Sequence, residues 1–177
     1  GVTLVELLAT LCIAGIVLAL AVSAYEGVVG ATHAGAARGG LQTTLAAAAE
    51  ASLSSNLRVD VCPSRDGAHC EDSYHWENGW IAFVDIDGDG AYGQGDHRVA
   101  LQPALGAHVA MISTTGRRRL VFQPYGANTG SNVTFTICDI RGPGRAVAVV
   151  ANNSGRIHTA PPEPDRVAEA CATARRR

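Results

Sequence analysis

The chain has 177 residues, of which 47% are hydrophobic but only 5% aromatic, and its formal net charge is −2. That length fits one modest domain plus an apolar segment. The near-neutral balance excludes polyanion binding driven by net charge alone, and the shortage of large rings leaves Val, Leu, Ile and Ala to build the core.

The charge is unevenly placed. Residues 60–97 carry nine acids and one arginine, whereas residues 117–177 carry ten arginines and four acids. An acidic middle therefore precedes a basic last third. Every basic residue is an arginine; arginine is the better bidentate phosphate ligand, although a GC-rich genome produces the same bias.

The first element is the apolar run Val2–Val22, which holds a single charge, Glu6. As a helix it spans roughly 30 Å, the hydrocarbon thickness of a bilayer. It is too long for the apolar region of a secretory signal and lacks the basic start of one. A transmembrane helix is the expectation. An Ala-rich stretch follows, with Leu41, Leu45, Ala48, Ala49 and Leu53 close to helical spacing. Gly27, Gly30, Gly35, Gly39 and Gly40 each weaken a helix by about 1 kcal/mol relative to Ala. The reading is one long helix, from residue 2 to about 55, with a pliable glycine-rich middle.

The opening "GVTLVELL" resembles the processing and assembly signature of type IV pilins and pseudopilins: Gly, an apolar residue (usually Phe), then Thr-Leu-Ile-Glu-Leu. Thr3, Leu4, Glu6 and Leu7 match; Val2 and Val5 are apolar replacements. The resemblance implies cleavage by a prepilin peptidase between Gly1 and Val2, methylation of the new Val2 amine, and Glu6 as the fifth mature residue. An intramembrane carboxylate usually has a partner. The methylated amine of a neighbouring subunit keeps its positive charge and is a natural one. Snorkelling of Glu6 to the interface is the alternative, and the surrounding motif favours the pairing.

After the helix, "NLRVDVCPS", "GWIAFVDI", "HRVALQ", "HVAMIS", "RLVFQP", "NVTFTICDI", "RAVAVVAN" and "RIHTA" read as short strands. "DGDG", "TTGR", "YGANTGSN" and "NNSG" punctuate them as turns. One long helix followed by many short antiparallel strands is an α+β pattern: an antiparallel β-sheet head packed on the helix. "APPEPD" is a stiff turn into a short last stretch ending in Arg175, Arg176 and Arg177. Trp76, Trp80, Phe83, Phe122 and Phe135 are assigned to the core.

Cys12 lies in the apolar run, which leaves Cys62, Cys70, Cys138 and Cys171. Four thiols allow three connectivities, and an even number beside a membrane-targeting start points to disulfides in an oxidising compartment. The short loop "CPSRDGAHC" favours Cys62–Cys70, with Cys138–Cys171 then pinning the last stretch. Zinc needs paired close spacings, and the sequence has none.

"C-(x)7-C" followed by "WENGWIAFVDIDGDG", then "LVFQPYGANTGSNVTFTICD" and "AVAVVANNSGRIH", resembles the GspH/FimT group of minor pilins and pseudopilins. The resemblance implies a pilin-like fold with residues 1–30 as methylation motif and membrane or filament helix, and residues 31–177 as a periplasmic head. It implies a single-pass protein of the bacterial inner membrane that joins a filament with other pilins or pseudopilins. The expected function is that of a FimT-like minor pilin of a type IV pilus. A GspH-like pseudopilin of a type II secretion system is the alternative.

Two motifs carry possible ligands. "DIDGDGAYGQGD" places Asp85, Asp87 and Asp89 at positions 1, 3 and 5 of a calcium-loop pattern, Gly90 at 6 and Asp96 at 12. Strands rather than helices flank it, and its twelfth residue is Asp rather than Glu; a hairpin loop needing Asp and Gly for its turns is the alternative. No other cofactor is expected. In "NNSGRIHTA", the resemblance implies DNA binding, since some FimT-type minor pilins bind double-stranded DNA through a Gly-Arg-x-Arg element. Gly155 and Arg156 match it, and His158 replaces the second arginine. Arg117, Arg118, Arg119, Arg175, Arg176 and Arg177 are the candidate supplements for binding without sequence specificity. No catalytic constellation is present: the histidines lack paired-ligand spacing, Ser113 and Ser154 lack a nucleophile elbow, and there is no phosphate-binding loop.

Overall fold

A computed structural model gives the three-dimensional arrangement. It describes residues 1, 3–128, 130 and 132–177; along the first helix, the side chains of residues 22–24 and 26 lie outside that description.

Helix α1 runs unbroken from Leu4 to Ser55. Thr3 caps its start, its hydroxyl accepting from the Glu6 amide at 3.3 Å. Asn56, in the left-handed conformation, ends it. The glycine-rich middle does not interrupt the helix. Gly30 and Gly40 mark where the head approaches most closely: a Cβ on Gly30 would lie 2.7 Å from Ile140 Cγ2, and one on Gly40 2.7 Å from Gln102 Oε1.

Eight strands follow: β1 Arg58–Pro63, β2 Trp80–Asp85, β3 His97–Gln102, β4 Val109–Ser113, β5 Leu120–Phe122, β6 Val133–Asp139, β7 Val147–Ala151 and β8 Ile157–Ala160. They form two antiparallel sheets rather than the single sheet expected, ordered β3-β2-β1-β5 and β4-β6-β7-β8. The second half of α1 lies against both. Strand alternation separates the faces. Val59, Val61, Trp80, Ala82, Val109, Met111, Phe135, Ile137 and Val149 point into one core with Ala37, Leu41, Leu45 and Ala48 of α1. The buried stripe continues through Ser52, while Leu53 is exposed; the expected apolar stripe was one residue out of phase at its end.

The last stretch is not a tail. Pro164–Arg176 is a second helix, α2. Pro164 and Asp165 suit a helix start, and Arg175 and Arg176 suit its end. Val167, Ala170, Cys171 and Ala174 form its buried face, at spacings of three, four and seven. Because that stripe is largely alanine, its hydrophobic signal is faint. It packs with Ile112 and Cys138 on the outer side of the second sheet. Disulfide Cys138–Cys171 fastens α2 to β6, and Cys62–Cys70 closes the loop after β1.

Two tryptophans anchor the core. Trp76 meets Phe135 edge-on at 4.9 Å between ring centres. The buried Trp80 indole donates to Thr44 Oγ1 at 3.0 Å, tying β2 to α1. Gly79, before Trp80, has φ +110°, and a Cβ there would lie 2.7 Å from the Gln102 carbonyl oxygen; backbone approach and dihedral together demand glycine.

Replacing Thr44 by Val keeps the shape but strands a buried N–H donor. The expected loss is about 1–3 kcal/mol, read as a thermal midpoint lowered by about 2–10 °C. An unchanged midpoint would mean that the bond does not hold the helix in place.

Candidate functional site

Along the first part of α1, Leu4–Ala21 has a mean hydropathy of 2.5 and none of it is buried. Leu4, Leu7, Leu8, Leu11, Ile13 and Leu18 are all more than half exposed. Glu6 is exposed among them and its side chain makes no hydrogen bond or ion pair with the described residues. Gly1 is exposed; the Val2 half of the expected cleavage and methylation site lies outside the described residues. A bare, predominantly apolar rod of about 27 Å is covered in nature either by lipid or by other helices.

The candidate nucleic-acid residues divide into two groups. Gly155 has φ +81°, its amide donates to the Asn152 carbonyl oxygen at 2.9 Å, and a Cβ would lie 2.7 Å from the Gly126 carbonyl oxygen. This packs the turn before β8 against the loop that begins at Gly126 and leaves Arg156 exposed, its side chain without an ion pair among the described residues. His158, two residues on along edge strand β8, is exposed as well, and the period of two puts it on the same side. Arg117 reaches the same loop, its Nη1 donating to the Gly130 carbonyl oxygen at 2.7 Å.

The other arginines face elsewhere. Arg118 pairs with Asp72 at 2.5 Å. Arg119 Nη1 donates to the Gly90 carbonyl oxygen at 2.7 Å and lies 3.2 Å from Asp60 Oδ1. Arg177 donates to the carbonyl oxygens of Glu77 and Val109 at 3.1 and 3.0 Å. Arg175 and Arg176 are exposed in the last turn of α2. Arg38, Arg141 and Arg145, passed over in the sequence, gather in one cleft; they lie too far apart along the chain for any motif to show it.

In the acidic loop, carboxylate oxygens of Asp85, Asp87 and Asp89 fall within 4.8 Å of one another. Asp96, the fourth expected ligand, is turned to other work: its two oxygens accept from the amides of Ile86 and Gly93 at 2.9 and 2.8 Å, closing the base of the loop. Asp85, the one buried member, already faces a cation, with Arg58 Nη2 2.7 Å from its Oδ2. Three carboxylates, one of them neutralised from inside, are a poor fit to a calcium ion.

Arg58 also reaches Asp60, Nε to Oδ2 at 3.1 Å, so Asp60 sits between Arg58 and Arg119. Burial nevertheless wins: it pushes the Asp60 carboxyl above its ordinary value of 3.8, against the pull of both arginines.

A protein-family model described as "Type II transport protein GspH" matches residues 37–155, more than half of the chain. Among solved structures, the type IV minor pilin FimU of Pseudomonas aeruginosa aligns at 18% identity and TM-score 0.48, over 74% of this chain and 94% of that one. The minor pseudopilin EpsH of the type 2 secretion system of Vibrio cholerae aligns at 15% identity and TM-score 0.53, over 73% of this chain and 98% of that one. At that identity EpsH supports the shared fold alone. No curated protein matches the sequence.

The Asp60 shift sets a pH dependence. A carboxyl whose pKa is raised on folding binds its proton more tightly in the native state, so its contribution to stability falls as pH rises from 3.8 through the raised value. Asp60→Asn removes that dependence. Urea midpoints from pH 3.5 to 7 are expected to favour wild type most at the acid end, the gap narrowing as pH rises; a gap that widens with pH contradicts the assignment.

Proposed function

The chain belongs to the GspH family, within the type IV pilin and pseudopilin superfamily, and we propose that it is a FimT-like minor pilin of a type IV pilus. Minor pilins and pseudopilins are structural filament components rather than enzymes. One observation carries the assembly role: a single unbroken helix is bare and apolar over Leu4–Ala21 and forms the spine of the core over residues 37–48. Before assembly the bare half spans the inner membrane, with the head, residues 31–177, on the periplasmic side. In the filament, the same surface packs against the helices of other pilins.

In this reading a prepilin peptidase cuts between Gly1 and Val2 and the Val2 amine is methylated. Glu6 then pairs with the amine of a neighbouring subunit, which neutralises a carboxylate that the apolar surroundings would otherwise penalise. Arg156, exposed on its glycine-locked turn with His158 two residues on, supplies a contact for the phosphate backbone of double-stranded DNA during uptake. The engagement of Arg118, Arg119 and Arg177 within the head favours a second reading, a pseudopilin of a type II secretion system in which DNA has no part.

Three measurements test the processing, the assembly and the DNA contact in turn. Intact mass of the mature protein is expected to show a chain starting at Val2 and carrying one methyl group. Glu6→Ala is expected to lower incorporation into filaments by about tenfold or more, consistent with removing one partner of a desolvated pair. For DNA, gel shift of the full chain in detergent is expected to weaken steeply with salt, and Arg156→Ala to flatten the log–log slope by about one unit. Salt-independent binding overturns the DNA contact, and a deletion strain that transforms normally but loses exoprotein secretion overturns the pilus reading.

A further inference from the structure

Three arginines, one of them about a hundred residues from the other two, line one cleft where α1 meets the lower end of the head. Arg38 comes from α1, Arg141 from the turn after β6, and Arg145 from the 3-10 turn Pro143–Arg145; the cleft measures about 300 Å³. Ala31, Ala34 and Gly35 form its helix wall, and their small size leaves the space open. Arg141 is clamped by the buried carboxylate of Asp139, Nη2 to Oδ2 at 2.6 Å and Nε to Oδ1 at 3.0 Å. Arg38 and Arg145 are exposed and have neither an ion pair nor a side-chain hydrogen bond among the described residues. Among the described residues, one carboxylate against three guanidiniums leaves the cleft with a positive surplus and two unused forks.

The position of the cleft along α1 decides what can reach it. Tyr25, 71% exposed, follows directly on the apolar run, and tyrosine in that position settles at headgroup level. Gly30 lies five residues further, about 8 Å along the axis. There Ile140 comes within 2.7 Å of a would-be Cβ, so the turn carrying Arg141 and Arg145 meets the helix at that height. The headgroup layer beyond the hydrocarbon is roughly 5–8 Å deep. Arg38 stands about 12 Å above Gly30, beyond that layer; helix side chains lean toward the N-terminus, and its guanidinium lines the cleft from above.

Resting on the reading of α1 as a membrane anchor, we propose that this cleft holds the phosphate of an anionic phospholipid while the chain is in the membrane. Guanidinium forks match phosphate oxygens in geometry and charge, and basic pockets beside a spanning helix are where anionic headgroups collect. Asp139 holds Arg141 at the mouth without cancelling the whole charge. The contact seats the head on the bilayer and is broken when the subunit leaves the membrane for a filament.

The test uses the full chain reconstituted into vesicles of phosphatidylcholine alone or with phosphatidylglycerol, with the thermal midpoint of the head read by near-ultraviolet circular dichroism. Phosphatidylglycerol well above half-saturation is expected to raise the midpoint by roughly 3–5 °C. Arg38→Ala with Arg145→Ala, at exposed and unpaired positions, is expected to remove the rise, and Arg156→Ala to keep it. Equal midpoints in the two lipids overturn the proposal. So does an equal rise with inorganic phosphate in phosphatidylcholine, which marks a site for free anions, or loss of the rise in Arg156→Ala, which marks diffuse surface attraction. Release of the chain from both vesicles by alkaline carbonate sinks the anchor reading and this proposal with it; equal midpoints in chain that resists carbonate sink this proposal alone.

Discussion

The hydrogen bond from the buried Trp80 indole to Thr44 ties a rigid rod to a β-sheet head at one register. Much else follows from that attachment. Because α1 is continuous from Leu4 to Ser55, seating residues 37–48 in the core sets where every other residue of the helix projects. A slip of one residue along the helix would rotate the stripe by about 100° and carry Leu41 and Leu45 out of the core. Gly40 lies beside the side chains of Trp80 and Gln102, so the helix surface is left open for them at the same place.

The core has few aromatic rings, and the head compensates with covalent and backbone constraints. Cys138–Cys171 spans 33 residues of sequence and holds α2 to the second sheet. Closing a loop of that length removes about 3–4 kcal/mol of unfolded-state entropy in the chain-entropy account. This substitutes for area that an alanine-rich helix face cannot bury. Gly79 and Gly155 supply backbone positions that no other residue fills without strain, at the two places where loops pack backbone against backbone.

The arginines show why charge counts say little about partners. Ten of them lie in residues 117–177, yet Arg119 and Arg177 are spent on carbonyl oxygens and a buried carboxylate inside the head. Arg156, Arg38 and Arg145 are among the exposed ones with unused donors. They lie in separate places, one on the turn before an edge strand and two in a cleft at the level where α1 leaves its apolar segment. The arginines thus resolve into internal fasteners and exposed groups at separate places on the head.

Local pattern by itself determined the long helix, the eight strands and the apolar segment, because each depends on periodicity over a few neighbouring residues. The cysteine spacing also singled out the short Cys62–Cys70 loop, since proximity in sequence limits distance in space. Helix α2 was legible only through its Pro164 start and Arg175–Arg176 end; its alanine face was too weakly apolar to announce itself. Tertiary structure alone decided the division into two sheets, the turning of Asp96 away from Asp85, Asp87 and Asp89, and the meeting of Arg38 with Arg141 and Arg145. The reason is that these depend on which chain segments lie side by side after folding, and no short-range pattern encodes a contact between residues a hundred positions apart.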